Sequence, residues 1–191
     1  MSFEYIYIGF WIGSYILGSI SFGDIIVNKF TQQNIRTLGT LNPEASNIYS
    51  EISPKFGIAV FFIDIIKGSI STLPIVLIGY PSWVSAVSMG ILLFGHMVKT
   101  PWGKYGGTGM ATAMGAGVGL IPLGALVAVL PSFIILLITK RPSFTGAAAF
   151  LLTIIGGWLI YQDLISTISL LVGASAVLIK FQSQYKEIHL N

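Results

Sequence analysis

The polar residues able to do chemistry in this chain gather in two segments, 31–50 and 95–109. The second holds Gly106-Gly107-Thr108-Gly109 directly ahead of an apolar run. Successive N–H groups of a glycine-rich turn, at the positive end of a helix, can seat an anion such as a phosphate oxygen. The plainer reading is a structural turn into a helix. It is not a P-loop, because no Lys-Ser/Thr pair follows the last glycine. The first segment supplies Arg36, Gly39, Thr40, Asn42, Ser46 and Asn47. A guanidinium holds phosphate through paired, charge-assisted hydrogen bonds, while its competing role here is an anchor at a membrane face. His96 follows Gly95 and suits a structural hydrogen bond or a catalytic role. Asp64 and Lys67, three residues apart in an apolar run, are expected to pair inside the protein and support the fold. Trp102 and Tyr105 read as interfacial anchors or substrate contacts. The chain has no cysteine, which excludes disulfides, thiolate metal sites and a Cys nucleophile. Its two histidines, His96 and His189, lack metal-ligand spacing, so no metal site is expected.

These residues must be positioned by long apolar elements. Runs near 3–27, 57–79, 82–98, 107–120, 122–139, 143–161 and 164–180 carry little charge. A membrane-spanning helix needs about 20 apolar residues, and only 107–120 is clearly too short. Nine of the ten basic residues fall at alternate connections: Lys29, Arg36 and Lys55; Lys99 and Lys104; Lys140 and Arg141; Lys180 and Lys186. The connections at 79–82, 119–122 and 161–164 have none. The positive-inside rule then predicts seven transmembrane helices, one short, with the N-terminus outside and the C-terminus cytoplasmic. The first run lacks the basic start of a signal peptide and reads as a retained helix. Composition agrees with an all-α, polytopic membrane protein: 54% of residues are hydrophobic and 9% charged, against about 25% charged in soluble domains. Mean hydropathy is +0.83. The net charge of +3 suits an anionic leaflet or substrate and gives no reason to invoke nucleic acid. A single membrane domain, 1–191, is expected, since no fixed-period repeat is present. The polar segment 31–50 is too long for a simple connector.

Read in order, the motifs resemble those of one family. Leu17-Gly18-Ser19-Ile20-Ser21-Phe22-Gly23, Asn34-Ile35-Arg36 and Gly39-Thr40-Leu41-Asn42-Pro43-Glu44-Ala45-Ser46-Asn47 track its first motif. Lys55-Phe56-Gly57 and the Asp64 to Gly68 stretch follow at its spacing. Gly95-His96-Met97, Gly106-Gly107-Thr108-Gly109 and Ala111-Thr112 track the second. On these residues the chain resembles the PlsY family of acyl-phosphate:glycerol-3-phosphate acyltransferases, from about residue 13 to 181. The resemblance implies a seven-helix fold of the cell membrane with its active site at the cytoplasmic face. It implies acyl phosphate and glycerol 3-phosphate as substrates, lysophosphatidic acid as product, membrane lipids as surroundings, and no cofactor. It also implies Thr40, Asn42 and His96 as catalytic residues. Ser19, Arg36, Gly39, Ser46, Asn47, Lys104, Gly106, Gly107, Thr108 and Gly109 would bind substrate.

The motifs also depart from the family pattern. Thr40 stands for Ser, Leu41 and Glu44 for Gly, and Ser46 for Thr. Ser50 stands where the family has a phosphate-holding Arg, and Tyr105 and Thr108 replace two motif lysines. The third motif is not recognisable in 180–185. Two phosphate groups meeting at a membrane face need cations and N–H donors. Each charge-assisted hydrogen bond lost there removes about 1.5–3 kcal/mol. The alternative to catalysis is a divergent member with another substrate or none, binding lipid or phosphate headgroups. A small transporter is a third, weaker reading, resting on the short run at 107–120. For either of the first two, Arg36, Asn42 and Asn47 are expected to fold back on the glycines of the second segment.

Overall fold

The computed structural model describes residues 3–98, 106–140 and 142–190. Among them the elements are α1 Phe3–Ser19, α2 Phe22–Thr31, a 3₁₀ turn Ile35–Thr37, α3 Ala45–Glu51 and α4 Pro54–Ile78. Then follow α5 Ser82–Met97, α6 Met110–Leu120, α7 Pro122–Thr139, α8 Pro142–Tyr161 and α9 Leu164–Leu190. Five spans are long and apolar enough to cross a membrane: Glu4–Thr31, Pro54–Ile78, Pro122–Thr139, Phe144–Tyr161 and Leu164–Gln184. The chain is thus an all-α, polytopic membrane protein. The expected seven crossings are met in part, because α5 has 16 residues and α6 has 11. The shortness of α6 was legible in its sequence. That of α5 comes from its ends: Pro81 precedes it and Val98, extended at φ −98° and ψ 149°, stops it after Met97.

Local chemistry sets the boundaries. Pro54, Pro122 and Pro142 open helices, where a missing N–H costs nothing. Gly79, at φ 82°, closes α4 and returns its N–H to the carbonyls of Ile75 and Val76. The first apolar run, expected as one helix, breaks between Ser19 and Phe22. Ser21 leaves helical geometry at ψ 89°, and the carbonyl of Ile20 accepts from Lys67 Nζ at 3.3 Å. A charged side chain from α4 thus takes a carbonyl at the break.

Two packed regions hold the bundle. Met89, Leu92, Leu93, Ala113, Ala116, Leu120, Ile154, Leu170 and Val177 join α5, α6, α8 and α9. Val27, Ile35, Ile48 and Val60 form a smaller core beneath the first polar segment. Large apolar side chains such as Leu77, Leu126 and Ile138 stay exposed on the outer faces, as suits contact with lipid. Helices α4 and α6 approach closely: a Cβ at Gly115 would overlap the Ile65 carbonyl. Thr72 Oγ1 donates to the Ala116 carbonyl at 2.9 Å and Ser69 Oγ to the Gly115 carbonyl at 3.0 Å.

At about 1.5 Å per residue, α6 spans roughly 16 Å, half of an apolar bilayer core of about 30 Å. Its N-terminal N–H groups therefore need acceptors from the protein itself. The connections sort to two ends. Asn42 bonds Gln184, and Glu44 bonds Thr108, so the first loop, the glycine loop and the end of α9 meet. At the other end Tyr7 meets the rings of Tyr80 and Trp83, Ser82 bonds Asp163, and the Tyr161 hydroxyl accepts from Leu123 N.

Candidate active site

The glycine loop is buried from Gly106 to Gly109, and each of its N–H groups has an acceptor. Gly106 N donates to the His96 carbonyl at 2.7 Å. Gly107 N donates to His96 Nε2 at 3.2 Å. Thr108 N and Gly109 N both donate to Glu44 Oε1, the latter at 3.1 Å, and Thr108 Oγ1 donates to the same oxygen at 2.6 Å. Gly109 precedes α6 at φ +81°, a left-handed conformation that glycine adopts without a Cβ penalty. Helix α6 thus starts on a carboxyl oxygen supplied from 64 residues away in sequence, at Thr108. Burial pushes the Glu44 carboxyl above its ordinary 4.5 and Asp64 adds to this, while the three donated hydrogen bonds pull the other way.

The loop that presents Glu44 is held by two asparagines. Asn47 Oδ1 accepts from Thr40 N at 2.9 Å, and its Nδ2 donates to the carbonyls of Leu38 and Asn42 at 3.0 and 2.8 Å. Asn42 Oδ1 accepts from Glu44 N at 3.2 Å, and its Nδ2 donates to Gln184 Oε1 at 3.1 Å. Both asparagines are buried. Thr40, Gly39 and Ser46 remain exposed, with Thr40 tied by its backbone alone among these bonds. Arg36 forms a two-pronged pair with Asp24: Nε donates to Oδ1 at 3.0 Å and Nη2 to Oδ2 at 2.6 Å. Asp24 is buried on α2, so the guanidinium is tied to that helix.

His96 sits behind the glycines. Its Nδ1 lies 2.9 Å from Lys67 Nζ and 3.5 Å from Thr112 Oγ1. Lys67 in turn pairs with Asp64 at 2.8 Å. A neutral imidazole has one acceptor nitrogen, so His96 accepts from either the Gly107 N–H or a Lys67 ammonium at one time. Asp64, Lys67, His96 and Gly107 thereby form one chain of contacts from the middle of α4 to the glycine loop.

The expected fold-back of the first loop occurs, but the contact with the glycines is made by Glu44 rather than by Arg36, Asn42 or Asn47. His96, Gly106, Gly107, Thr108, Gly109, Asn42 and Asn47 come together. Arg36 is engaged by Asp24, and Ser19 donates to the Tyr15 carbonyl of its own helix at 2.7 Å. Lys104, with Lys99, Trp102 and Tyr105, lies outside the described residues. Lys67 joins the site through His96, beyond the pairing with Asp64 expected of it. Glu44, Asp24 and Gln184 escaped sequence reasoning. Glu44 had a signal: it is the acid of a loop facing a helix start, and helix starts favour carboxylates. Among the described residues no group of three His, Cys, Asp or Glu could hold a metal ion.

Residues 8–190 match the family model for glycerol-3-phosphate acyltransferase. The chain is 33% identical to glycerol-3-phosphate acyltransferase 2 of Bacillus anthracis, over 89% of each. It is 35% identical to glycerol-3-phosphate acyltransferase of Geotalea daltonii, over 87% of this chain and 86% of that protein. The crystal structure of PlsY (YgiH), an integral membrane glycerol 3-phosphate acyltransferase in its glycerol 3-phosphate form, superposes with a TM-score of 0.82 at 27% identity. The superposition covers 95% of this chain and 91% of that one. The lysophosphatidic acid form of PlsY gives a TM-score of 0.79 at 26% identity, with the same coverage.

Proposed function

Because the chain belongs to the glycerol-3-phosphate acyltransferase family, we propose that it transfers a fatty acyl group from acyl phosphate to the 1-hydroxyl of glycerol 3-phosphate. The observation that carries the reading is the joint match of family model, relatives and fold, with the motif segments brought together at one end of the bundle. The hydroxyl oxygen bonds to the acyl carbon, the bond from that carbon to the phosphate oxygen breaks, and the hydroxyl proton passes to phosphate. Lysophosphatidic acid and inorganic phosphate result. A nucleophilic side chain is not required: Ser19 is tied to its own helix, and both His96 nitrogens face other groups. What the site supplies is position and donors. Thr108 and Gly109 offer N–H groups to a phosphate or oxyanion that replaces the Glu44 carboxyl, with Gly106 and Gly107 shaping the loop against His96. Thr40 and Ser46 offer exposed hydroxyls, and Gly39 lets the chain turn beneath Thr40. Asn42 and Asn47 set the loop, His96 orients the glycines, Arg36 ties the loop to α2 through Asp24, and Lys104 is the basic residue beside the glycines in sequence.

The end bearing these segments faces the cytoplasm, the N-terminus lies outside, and α5 and α6 complete seven crossings in the cell membrane. This orientation rests on the alternation of basic and neutral connections. The test is phosphate release from acyl phosphate by purified protein in lipid, dependent on glycerol 3-phosphate. A second reading, headgroup binding without turnover, draws on one observation, the Glu44 carboxyl lodged on the N–H groups of the glycine loop. Saturable phosphate binding with no release of phosphate from any acyl donor would favour it.

A further inference from the structure

We infer that Glu44 is a built-in occupant of the phosphate seat, and that glycerol 3-phosphate must displace its side chain to reach the N–H groups of Thr108 and Gly109. The inference rests on the acyltransferase reading and names what sets acceptor affinity at that site. An anion arriving at the start of α6 needs these donors, because the other two N–H groups of the loop already serve the carbonyl and ring of His96. Both donors, with the Thr108 hydroxyl, converge on one carboxyl oxygen of Glu44. A carboxyl oxygen and a phosphate oxygen are the same kind of ligand for such donors, so the two compete for one place. The side chain reaches the seat across Gly107, lying against its Cα, and thereby also covers the loop.

The arm is movable in a way that an ordinary helix cap is not. Glu44 belongs to the polar loop between the 3₁₀ turn and α3, not to α6, and its backbone N–H is held by the Asn42 side chain. Asn42 is in turn tied to Gln184 on α9. Rotation about the Glu44 side-chain torsions frees the seat while the Asn42 and Asn47 bonds remain in place. Glu44 therefore sets specificity: it disfavours weak anions, and admits an acceptor whose phosphate carries more charge than a carboxyl.

The experiment measures binding of inorganic phosphate and of glycerol 3-phosphate to the full chain in detergent, for wild type, Glu44→Gln and Glu44→Gly, with KM and kcat for acyl transfer in parallel. Removing the side chain is expected to tighten both Kd values at least about tenfold, equivalent to about 1.4 kcal/mol. KM for glycerol 3-phosphate should fall and kcat/KM rise, with Gln, which still offers an acceptor oxygen, in between. Unchanged or weaker binding in a folded Gly variant, or a fall in kcat/KM, overturns the inference and leaves Glu44 as a structural cap. Should the Gly variant lose its thermal transition, Glu44→Ala carries the same comparison. Phosphate affinity is read without turnover. An absence of acyl transfer in wild type and variants alike thus counts against the acyltransferase reading, separately from the competition at the seat.

Discussion

Arg36 and Asp24 illustrate how a residue chosen for one role is recruited by a neighbour. The guanidinium was the sequence's best phosphate ligand, yet an acid inside the first apolar run holds it with two bonds. Asp24 keeps 7% of its side chain exposed and Arg36 18%. Removing Arg36 therefore leaves the more buried charge alone. Arg36→Ala is expected to cost about 3 kcal/mol, the lower end for breaking a buried pair, and more than Asp24→Ala; unfolding midpoints in detergent measure the order. Glu44 gives a pH signature. Its folded pKa is raised above the ordinary 4.5, so folding favours the protonated acid. That contribution is fully present below about pH 4.5 and is lost as pH rises through the raised value. Thermal unfolding of Glu44→Gln should show a flatter pH dependence than wild type above that point. A parallel pair of curves would refute the assignment.

At the scale of elements, α6 is the piece on which the site depends. It is short, buried and fixed against α4, where Gly115 has no room for a side chain. Gly115→Val should destabilise the protein by about 1–3 kcal/mol through overpacking and lower activity with it, read as loss of the monodisperse peak on gel filtration. Asp163 anchors the opposite end: Oδ1 accepts from Ile165 N at 3.1 Å and Oδ2 from Ser166 Oγ at 2.7 Å at the start of α9. Burial pushes its carboxyl up, but bonds from Ser82, Ser166 and the backbone of Ile165 and Ser166 outweigh this and hold it below 3.8. Its contribution is present above that ordinary value and is lost as pH falls through the lower one. Asp163→Ala should cost about 1 kcal/mol near neutral pH, as for a lost helix cap. The apolar runs made nearly every helix legible, since span length and charge placement are local properties. The break at Ile20 was not, because it depends on Lys67 reaching over from α4. The partnership of Glu44 with α6 was likewise hidden, because sequence shows an acid and a glycine loop but not their approach.

For the whole molecule, the two ends of the bundle carry different chemistry, and the proposed orientation can be tested at each. Single cysteines at Thr31 and Ser183 should react with an impermeant thiol reagent from the cytoplasmic side alone, and one at Gln162 from the outside alone. Labelling of Thr31 from outside would reverse the proposed topology. The segments that carry the motifs meet at one end even though several of their residues differ from the family pattern. What both ends of the bundle serve is acyl transfer. Its most direct test gives purified wild-type protein acyl phosphate with deuterium-labelled glycerol 3-phosphate and follows the product by mass spectrometry. Labelled lysophosphatidic acid should accumulate in step with inorganic phosphate. Free fatty acid in place of that product, or no turnover with acyl phosphates of any chain length, would contradict it.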